Sequence, residues 1–329
     1  MNYMIDNQLM ARAAWLYYNA GLNQQETSRR MGLTRARVNK LLSQARESGL
    51  VSISINERDI GLLAEEEAIR SAFGLEFCLT TPVLGIDGEW NAALEALTLG
   101  MVGAAAAQYL FDLITAKPDA IIGTGWGRTL DQVARNMSGL TAPQAKFVSL
   151  MGSLTSNSSF NPFEVVQAMA QFTGAEGYFL PAPFIADSAE DRDVFVTQRG
   201  ISNIIEMAQR ADLALVSVGE LTETSLLRTQ NMITDDELQS LRAAGAVADT
   251  NGIFFDKDGK TLDHDLNRRA VAVDFDQLRK LKIVLLSAGP SKVAATEAVL
   301  KSGAIRGLIL DGDSARQLSA TLSLRANPG

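Results

Sequence analysis

Residues 120–130 read Ala-Ile-Ile-Gly-Thr-Gly-Trp-Gly-Arg-Thr-Leu, an apolar strand that runs into a glycine-rich turn and then into a helix beginning near Thr129. Glycine lets the backbone N–H groups of such a turn approach a ligand closely, and the start of the helix adds further free N–H groups. Ligands of open α/β sheets bind at the carboxyl ends of strands. The stretch therefore predicts a ligand site in an α/β domain, and a turn whose glycines serve the backbone alone is the alternative.

The glycine spacing of this turn excludes two nucleotide-binding motifs. Arg128 stands where GxGxxG needs its third glycine, and Pro143 and Gln144 stand about 20 residues on, where that motif places an acidic residue. The chain has no GxxxxGK[ST] sequence, so an NTPase P-loop is absent. The candidate ligand contacts in the turn are Gly123, Thr124, Gly125, Trp126, Gly127, Arg128 and Thr129.

Strands and helices alternate through the rest of the chain. Apolar strands are predicted at 120–122, 146–150, 213–218, 253–255, 282–287 and 307–310. Amphipathic helices are predicted at 90–114, 129–137, 162–172, 194–209, 235–243, 291–301 and 314–322. This alternation is typical of a parallel sheet covered on both faces, so we predict a Rossmann-like α/β domain.

Polar residues follow or precede several of these strands and would share one rim of the sheet. They are Ser153, Glu220, Asp249, Asn251 and Lys292. Hydroxyl, amide, carboxylate and ammonium groups together suit a polyhydroxylated ligand, with or without a phosphate. Each residue alone is an ordinary loop residue, so the prediction depends on their convergence.

The first 56 residues predict a different fold. Helices are expected over 8–20, 24–31 and about 35–48, and a Gly-Leu turn separates the second helix from the third. Thr34 suits the N-cap of the third helix, whose apolar face consists of Val38, Leu41, Leu42 and Ala45. Residues 51–55 alternate apolar and polar and predict a short strand. The pattern indicates a helix-turn-helix.

Basic and amide side chains cluster at the start of the predicted third helix, which is where a recognition helix meets base edges. Arginine pairs with guanine and asparagine with adenine in the major groove. The candidate DNA contacts are Gln24, Gln25, Ser28, Thr34, Arg35, Arg37, Asn39 and Lys40. A small helical bundle with a solvated basic face is the alternative.

The charge is divided unevenly along the chain. The formal net charge is −8, but residues 1–58 carry eight Lys or Arg and four Asp or Glu, whereas 59–329 carry 22 and 34. We therefore predict a DNA-binding domain at 1–56 and a ligand-binding and oligomerisation domain at 57–329. Because one such modestly basic module would bind DNA weakly, we expect an oligomer that supplies two or more.

The remaining composition excludes several other classes of protein. Cys78 is the single cysteine and His264 the single histidine, so an intrachain disulfide, an HExxH site and any two-histidine metal site are impossible. We expect no metal and no cofactor. Neither a signal peptide nor an apolar run of about 18 residues is evident, so we expect a cytoplasmic protein without a membrane partner. We expect Cys78, Met101, Tyr109 and Phe111 in the core.

Ordered motifs over some 300 residues resemble the SorC family of sugar-responsive transcriptional regulators. The stretch from Tyr17 to Val51 is similar to the family's DNA-binding region, and Gly123 to Thr129 to its Gly-x-Gly-Trp-Gly-x-Thr loop. Further similar segments are 211–220, which ends in Gly-Glu, 245–259 and 288–294. The chain departs from the family pattern at Ala248 and Pro290, where glycine is usual.

This resemblance implies a dimeric or tetrameric repressor or activator, and we expect a homotetramer. Its partners would be double-stranded operator DNA and a sugar, polyol or sugar-phosphate effector, as in the control of a carbohydrate or polyol catabolic operon. The large domain would resemble sugar-phosphate isomerase and deaminase folds without turning its ligand over. Residues 123–129 and Lys292, followed by Glu220, would contact the effector.

Two other functions stay open at this point. One is an isomerase or deaminase with an appended DNA-binding module, but its proton transfer would want a carboxylate base and often a histidine, and His264 lies in a polar stretch typical of a surface loop. The other is an adaptor whose basic module binds an acidic protein.

Overall fold

The computed structural model describes residues 2–51, 62–85, 90–154 and 161–326. The chain forms two compact units: Met1–Ile55 with Ser138–Leu140, and Asn56–Met137 with Thr141–Gly329. The predicted domain boundary between residues 56 and 57, and all of the predicted strand 51–55 except Val51, lie outside the described residues.

The small unit is helical. It comprises α1 (Asn2–Ala14), a π-helical turn (Trp15–Asn19), α2 (Gln24–Met31) and α3 (Arg35–Glu47). Asn23 and Glu26 form a reciprocal capping box that starts α2, and Gly32 ends it with a left-handed φ of +66°. Thr34 accepts a hydrogen bond from the Arg37 N–H and so caps α3, as predicted.

The large unit is built on a seven-stranded parallel sheet. Its strands in chain order are β1 (Phe77–Thr80), β2 (Ile121–Thr124), β3 (Lys146–Ser153), β4 (Glu176–Pro183), β5 (Leu213–Ser217), β9 (Ile283–Ser287) and β10 (Ile305–Leu310). Their order across the sheet is β1-β10-β9-β5-β2-β3-β4. Every residue of β9 is buried, so both faces of the sheet are covered there, as the apolar strands predicted.

A separate antiparallel sheet consists of β6 (Gly219–Glu220), β7 (Ala246–Thr250) and β8 (Ile253–Asp256) in that order. Asn251 and Gly252 join β7 to β8 with φ values of +52° and +77°, the backbone that a two-residue hairpin turn requires. The strand predicted at 253–255 therefore exists but belongs to this small sheet rather than to the parallel one. A two-residue turn permits only antiparallel pairing.

Twelve α-helices complete the described part of the large unit. They are α4 (Leu63–Phe73), α5 (Ala92–Ala116), α6 (Arg128–Asn136), α7 (Pro162–Thr173), α8 (Ala189–Thr197), α9 (Arg199–Ala208), α10 (Leu226–Thr229), α11 (Asp235–Ala243), α12 (Asp265–Arg269), α13 (Phe275–Leu278), α14 (Val293–Lys301) and α15 (Gly312–Ala326). A 3₁₀ turn, Pro290–Lys292, precedes α14.

One predicted helix is wrong. The segment 194–209 was expected to be continuous, but α8 and α9 meet at Gln198, whose ψ of 130° is extended. The apolar pattern alone does not reveal this break. The signal is that Thr197 directly before Gln198 and Gly200 two residues after it are weak helix formers. Sequence reasoning also missed β1, β4, β6 and β7.

The long helix α5 has one buried and one exposed side. Val102, Ala106 and Leu110 are fully buried, whereas Leu97 and Phe111 are 50% and 44% exposed. Among the described residues, α5 alone has the length and apolar composition to cross a membrane, but its buried side packs as a core helix does. The prediction that Phe111 is a core residue is wrong.

The expectation for Cys78 is confirmed. Cys78 lies on β1 and is buried in the main hydrophobic cluster of the large unit. Burial raises the pKa of its thiol above the ordinary value, and nearby Glu66 acts in the same direction. The side chain is therefore a small apolar filler rather than a nucleophile.

Candidate functional site

The carboxyl ends of β2 and β5 form the crevice of the large sheet. These strands are neighbours, but the chain continues from β2 to β3 on one side and from β5 to β9 on the other. The winding direction therefore reverses between them, which is where α/β sheets hold their ligands. The glycine turn at 125–127 opens at this point, as predicted, opposite the Gly219-Glu220 segment.

A cavity occupies this crevice. It is lined by Trp126, Gly127, Arg128, Ser217, Val218, Gly219, Glu220, Leu226, Leu227, Asp249 and Lys292. Six of the predicted effector contacts are among these residues: Trp126, Gly127, Arg128, Glu220, Asp249 and Lys292. They come from four separate parts of the chain, so the structure brings together what the sequence only suggested.

The glycine turn is fastened to β5 by hydrogen bonds. The Gly125 N–H donates to the Leu215 carbonyl at 2.9 Å, and the Ser217 hydroxyl donates to the Trp126 carbonyl at 2.8 Å. Gly127 has a φ of +109°, a conformation open essentially to glycine alone. The start of α6 is thereby held beside the cavity with its free N–H groups. Sequence reasoning did not identify Ser217.

Arg128 is held in an ion pair. Its Nη1 donates to Oε1 of Glu95 on α5 at 2.6 Å, and each side chain is 35% exposed. Glu95 was missed by sequence reasoning. Glu95 and Asp112 are the only charged residues among the 25 of α5, and this isolation in an apolar helix is the signal that could have found it.

Asp249 is the most buried charged residue of the cavity, at 3% exposure. Its carboxyl lies against Gly219, where a Cβ would come within 2.0 Å of Oδ1, so a side chain at position 219 would displace this carboxyl. The pKa of Asp249 is raised to about 7: burial is the largest cause, the Glu220 carboxylate acts in the same direction, and Lys292 opposes both. This carboxyl can therefore donate or accept a hydrogen bond near neutral pH.

Lys292 supplies a cation to the same cavity. It ends the 3₁₀ turn before α14. Burial lowers the pKa of its ammonium group and Arg128 lowers it further, whereas the carboxylates of Glu220, Asp249 and Glu95 raise it. Arg128, Lys292, Glu95, Glu220 and Asp249 thus act on one another as a single charged cluster.

Four predicted contacts in the glycine turn lie behind the cavity rather than on its surface. A Cβ at Gly123 would come within 2.6 Å of Leu150, so this glycine serves strand packing. Thr124 and Thr129 are buried, and their hydroxyls have no hydrogen-bond partner among the described residues. Gly125 meets β5 through its backbone.

Two further predictions are corrected by the structure. Asn251 forms the β7–β8 turn, and its Nδ2 donates to the Leu150 carbonyl at 3.3 Å. Ser153 lies at the end of β3 in a separate groove lined by residues such as Phe163 and Phe179. Neither lines the cavity, because β3 is one strand further from the crevice and Asn251 is turned toward β3.

The start of α3 presents a polar face. Gln25, Thr34, Arg35, Asn39 and Lys40 are exposed. Half-buried Gln24, the first residue of α2, connects α2 to α3: its Nε2 donates to Asn39 Oδ1 at 3.2 Å, and its Oε1 accepts from Arg35 Nε at 3.3 Å. This network fixes the side chains in place before any ligand arrives. Arg37 is half-buried at the margin of this face.

Ser28 does not belong to this face. It is 4% exposed, and its hydroxyl donates to the Gln25 carbonyl at 2.8 Å. The sequence predicts Ser28 as a DNA contact together with Gln24 and Gln25, which also lie on α2. Helical position decides otherwise, since Ser28 and Thr27 occupy the buried side of α2.

The single histidine lies away from the cavity. His264 caps α12 by accepting a hydrogen bond from the Leu266 N–H at 3.2 Å, and its Nε2 lies 3.0 Å from the Ser240 hydroxyl. It lies in the loop that precedes α12, as predicted, and there it acts as the N-cap of that helix. No group of three or more potential metal ligands occurs among residues 2–51, 62–85, 90–154 and 161–326.

Comparison with known protein families agrees with this geometry. The family model "Putative sugar-binding domain" matches residues 58–319. The erythritol catabolism regulatory protein EryD of Brucella abortus is 34% identical over 95% of this chain and 96% of its own length. The deoxyribonucleoside regulator of Bacillus subtilis is 30% identical over 94% of this chain and 97% of its own.

A solved structure has a similar fold over most of this chain. The full-length sorbitol operon regulator SorC from Klebsiella pneumoniae matches with a TM-score of 0.69 at 22% identity, covering 95% of this chain and 98% of that one. A helical N-terminal part followed by a Rossmann-like α/β domain, as predicted from the sequence, is thereby confirmed.

Proposed function

The chain belongs to the SorC family of sugar-responsive transcriptional regulators, and from that premise we propose that a polyol or sugar bound in the cavity between β2 and β5 controls binding of the α3 face to operator DNA. The observation that carries this proposal is the charged cavity at the switch point of the sheet. It joins backbone donors, two cations and three carboxylates around one small volume.

The chemistry of the cavity supports a polyhydroxylated effector. Each hydroxyl group of such a ligand both donates and accepts a hydrogen bond. Glu220 and Asp249 accept, Lys292 donates, and the start of α6 offers further N–H groups. The names of two relatives point to the same class, since one is an erythritol catabolism regulatory protein and the other is a deoxyribonucleoside regulator.

Effector binding requires part of the wall to move. The cavity encloses about 30 Å³, which is room for a water molecule but not for a sugar. Leu226 and Leu227 close one side, and they are carried on α10, which is only four residues long. Displacement of α10 by the ligand would give the protein two states with different effector affinities, which is what allosteric control needs.

Operator contacts are proposed at the face that α2 and α3 present. Arg35 and Asn39 are exposed near the start of α3, where they can reach base edges, and Lys40, Gln25 and Thr34 can meet phosphates. Gln24 and Arg37 complete the proposed set. Ser28 is omitted because it is buried.

We also propose self-association, with the exposed side of α5 as its surface. Leu97 and Phe111 are 14 residues apart, so they lie on nearly the same side of the helix and about 21 Å apart along it. Large apolar side chains in such a row are usually covered by a partner. A homotetramer in the cytoplasm is the assembly that we propose; sedimentation of a Leu97→Ser/Phe111→Ser variant as a smaller species would support it.

The enzyme alternative finds no support. The relatives are transcriptional regulators rather than enzymes, and the histidine that proton transfer would favour is a helix cap.

Footprinting tests the proposal directly. Purified full-length protein is incubated with the DNA upstream of its own operon, with and without a panel of sugars and polyols. We expect protected half-sites spaced by about one helical turn, and a loss or shift of protection with one compound. Absence of any protected site under every condition would overturn the proposal.

A further inference from the structure

Arg128 is the residue that a phosphorylated effector would need, yet it is committed to a carboxylate. It occupies the first position of α6, directly after the glycine turn, where an arginine can pair with a phosphate. Its Nη1 instead lies 2.6 Å from Glu95 Oε1. A phosphate at this place would have to compete with Glu95 for the guanidinium and would meet the Glu95 charge.

The balance of charge around the cavity points the same way. Arg128 and Lys292 are opposed by Glu95, Glu220 and Asp249, which all act on Lys292 electrostatically. The cluster carries a net charge of about −1 with Asp249 ionised and about zero with Asp249 protonated. A phosphate monoester adds about −1.5 to −2 at pH 7, and neither state of the cluster offers a positive field to receive it.

Glu95 is not the only residue through which α5 contacts α6. Two turns further along α5, Gly103 packs so closely on α6 that a Cβ there would come within 2.5 Å of Gln132. This contact holds the two helices together without the ion pair. Both Glu95 and Arg128 are also partly exposed, so a neutral side chain at position 95 is compatible with folding.

We propose that Glu95 is a specificity-determining residue, which neutralises Arg128 so that the cavity accepts an uncharged polyol or sugar and discriminates against its phosphate ester. This inference rests on the proposed effector site and sharpens it. Glu95 acts on the ligand through the guanidinium and through its own charge, whereas Glu220, Asp249 and Lys292 contact the hydroxyl groups.

Calorimetric titration of the full-length protein tests this inference. The probes are erythritol, ribitol and sorbitol, each paired with its terminal phosphate monoester. We expect the wild type to bind one polyol at least tenfold more tightly than its phosphate. Glu95→Gln should reduce that ratio at least tenfold by gaining affinity for the phosphate. Asp112→Asn is the matched control, because it removes one carboxylate from the same helix about 25 Å away.

A second variant separates specificity from a structural effect. Glu95→Gln/Arg128→Gln lacks the freed guanidinium, so its affinity ratio of polyol to phosphate should return toward the wild-type value. A merely structural effect would instead weaken the binding of both ligands further. Tighter binding of the phosphate by the wild type, or an equal change for both ligands in Glu95→Gln, would overturn the inference. If neither these six probes nor any sugar or polyol of the footprinting panel binds or releases operator DNA, the proposed function itself fails.

Discussion

The two candidate sites are built in opposite ways. The α3 face comes from 17 consecutive residues, 24–40, and its side chains project outward from helix positions that the sequence defines. The cavity comes from four distant segments, and its charged groups, of which Asp249 is the most buried, lie beside one another. A local, exposed site depends on individual contacts, whereas an assembled, buried site depends on the balance among its members. Substitutions in the cavity should therefore act through their neighbours, whereas on the α3 face the coupling that we expect is that of Arg35 and Asn39, through Gln24.

The largest effect is expected from removing base contacts. Arg35→Ala/Asn39→Ala should weaken operator binding by about 10³-fold or more, since each good base contact contributes about 1–3 kcal/mol and an oligomer loses it at two half-sites. Gel shifts at several salt concentrations measure this. Arg46→Ala, in the last turn of α3, is the control and should cost less than tenfold. An equal loss of operator affinity in both variants would indicate that these residues attract DNA through charge alone and do not contact its bases.

The next effect concerns stability as a function of pH. The pKa of Asp249 is about 7 in the folded protein, well above the ordinary value of 3.8, so the folded state binds more protons than the unfolded state between these values. The large unit should therefore lose stability as pH rises from about 4 to about 7, by an amount of the order of a few kcal/mol. Urea unfolding at pH 5 and pH 8 measures the difference.

Asp249→Asn should flatten that pH dependence, because the neutral amide does not titrate. Glu220, Lys292 and Arg128 face the same cavity and stay in place, so the variant isolates the contribution of Asp249. An unchanged difference between pH 5 and pH 8 in the variant would assign it to another group.

Removal of the Lys292 ammonium group should weaken effector binding, by a smaller factor than the loss of base contacts weakens operator binding. Lys292→Met removes a hydrogen-bond donor of the cavity and one of its two cations, the other being Arg128. Glu220 and Asp249 then repel each other without an ammonium group beside them. We expect effector binding to weaken by about tenfold to a hundredfold, while operator binding without effector is retained. Lys280→Met, an exposed lysine after α13, is the matched control. Loss of operator binding in Lys292→Met would mean that the variant is misfolded.

The sequence predicted the local features better than the assembled ones. The end of α2 follows from Gly32 and the start of α3 from Thr34, because helix caps depend on local sequence. The isolation of Glu95 in an apolar helix marks it in the sequence, but its pairing with Arg128 does not follow from the sequence, since the two are 33 residues apart and only the packing of α5 on α6 brings them together. Ser28 and Asn251 were assigned to the two sites by residue type, and both assignments are wrong because these side chains are buried.

The smallest effect is expected at Asn251, and it sharpens the boundary of the cavity. Asn251→Gly keeps the left-handed turn, because glycine accepts a φ of +52° freely, but it removes the 3.3 Å hydrogen bond from Nδ2 to the Leu150 carbonyl. Stability should fall by about 1 kcal/mol, and effector affinity should change less than twofold. Unfolding and titration of the same preparation separate the two quantities. A loss of effector affinity comparable to that of Lys292→Met would return Asn251 to the binding site and show that the β7–β8 turn reaches the ligand.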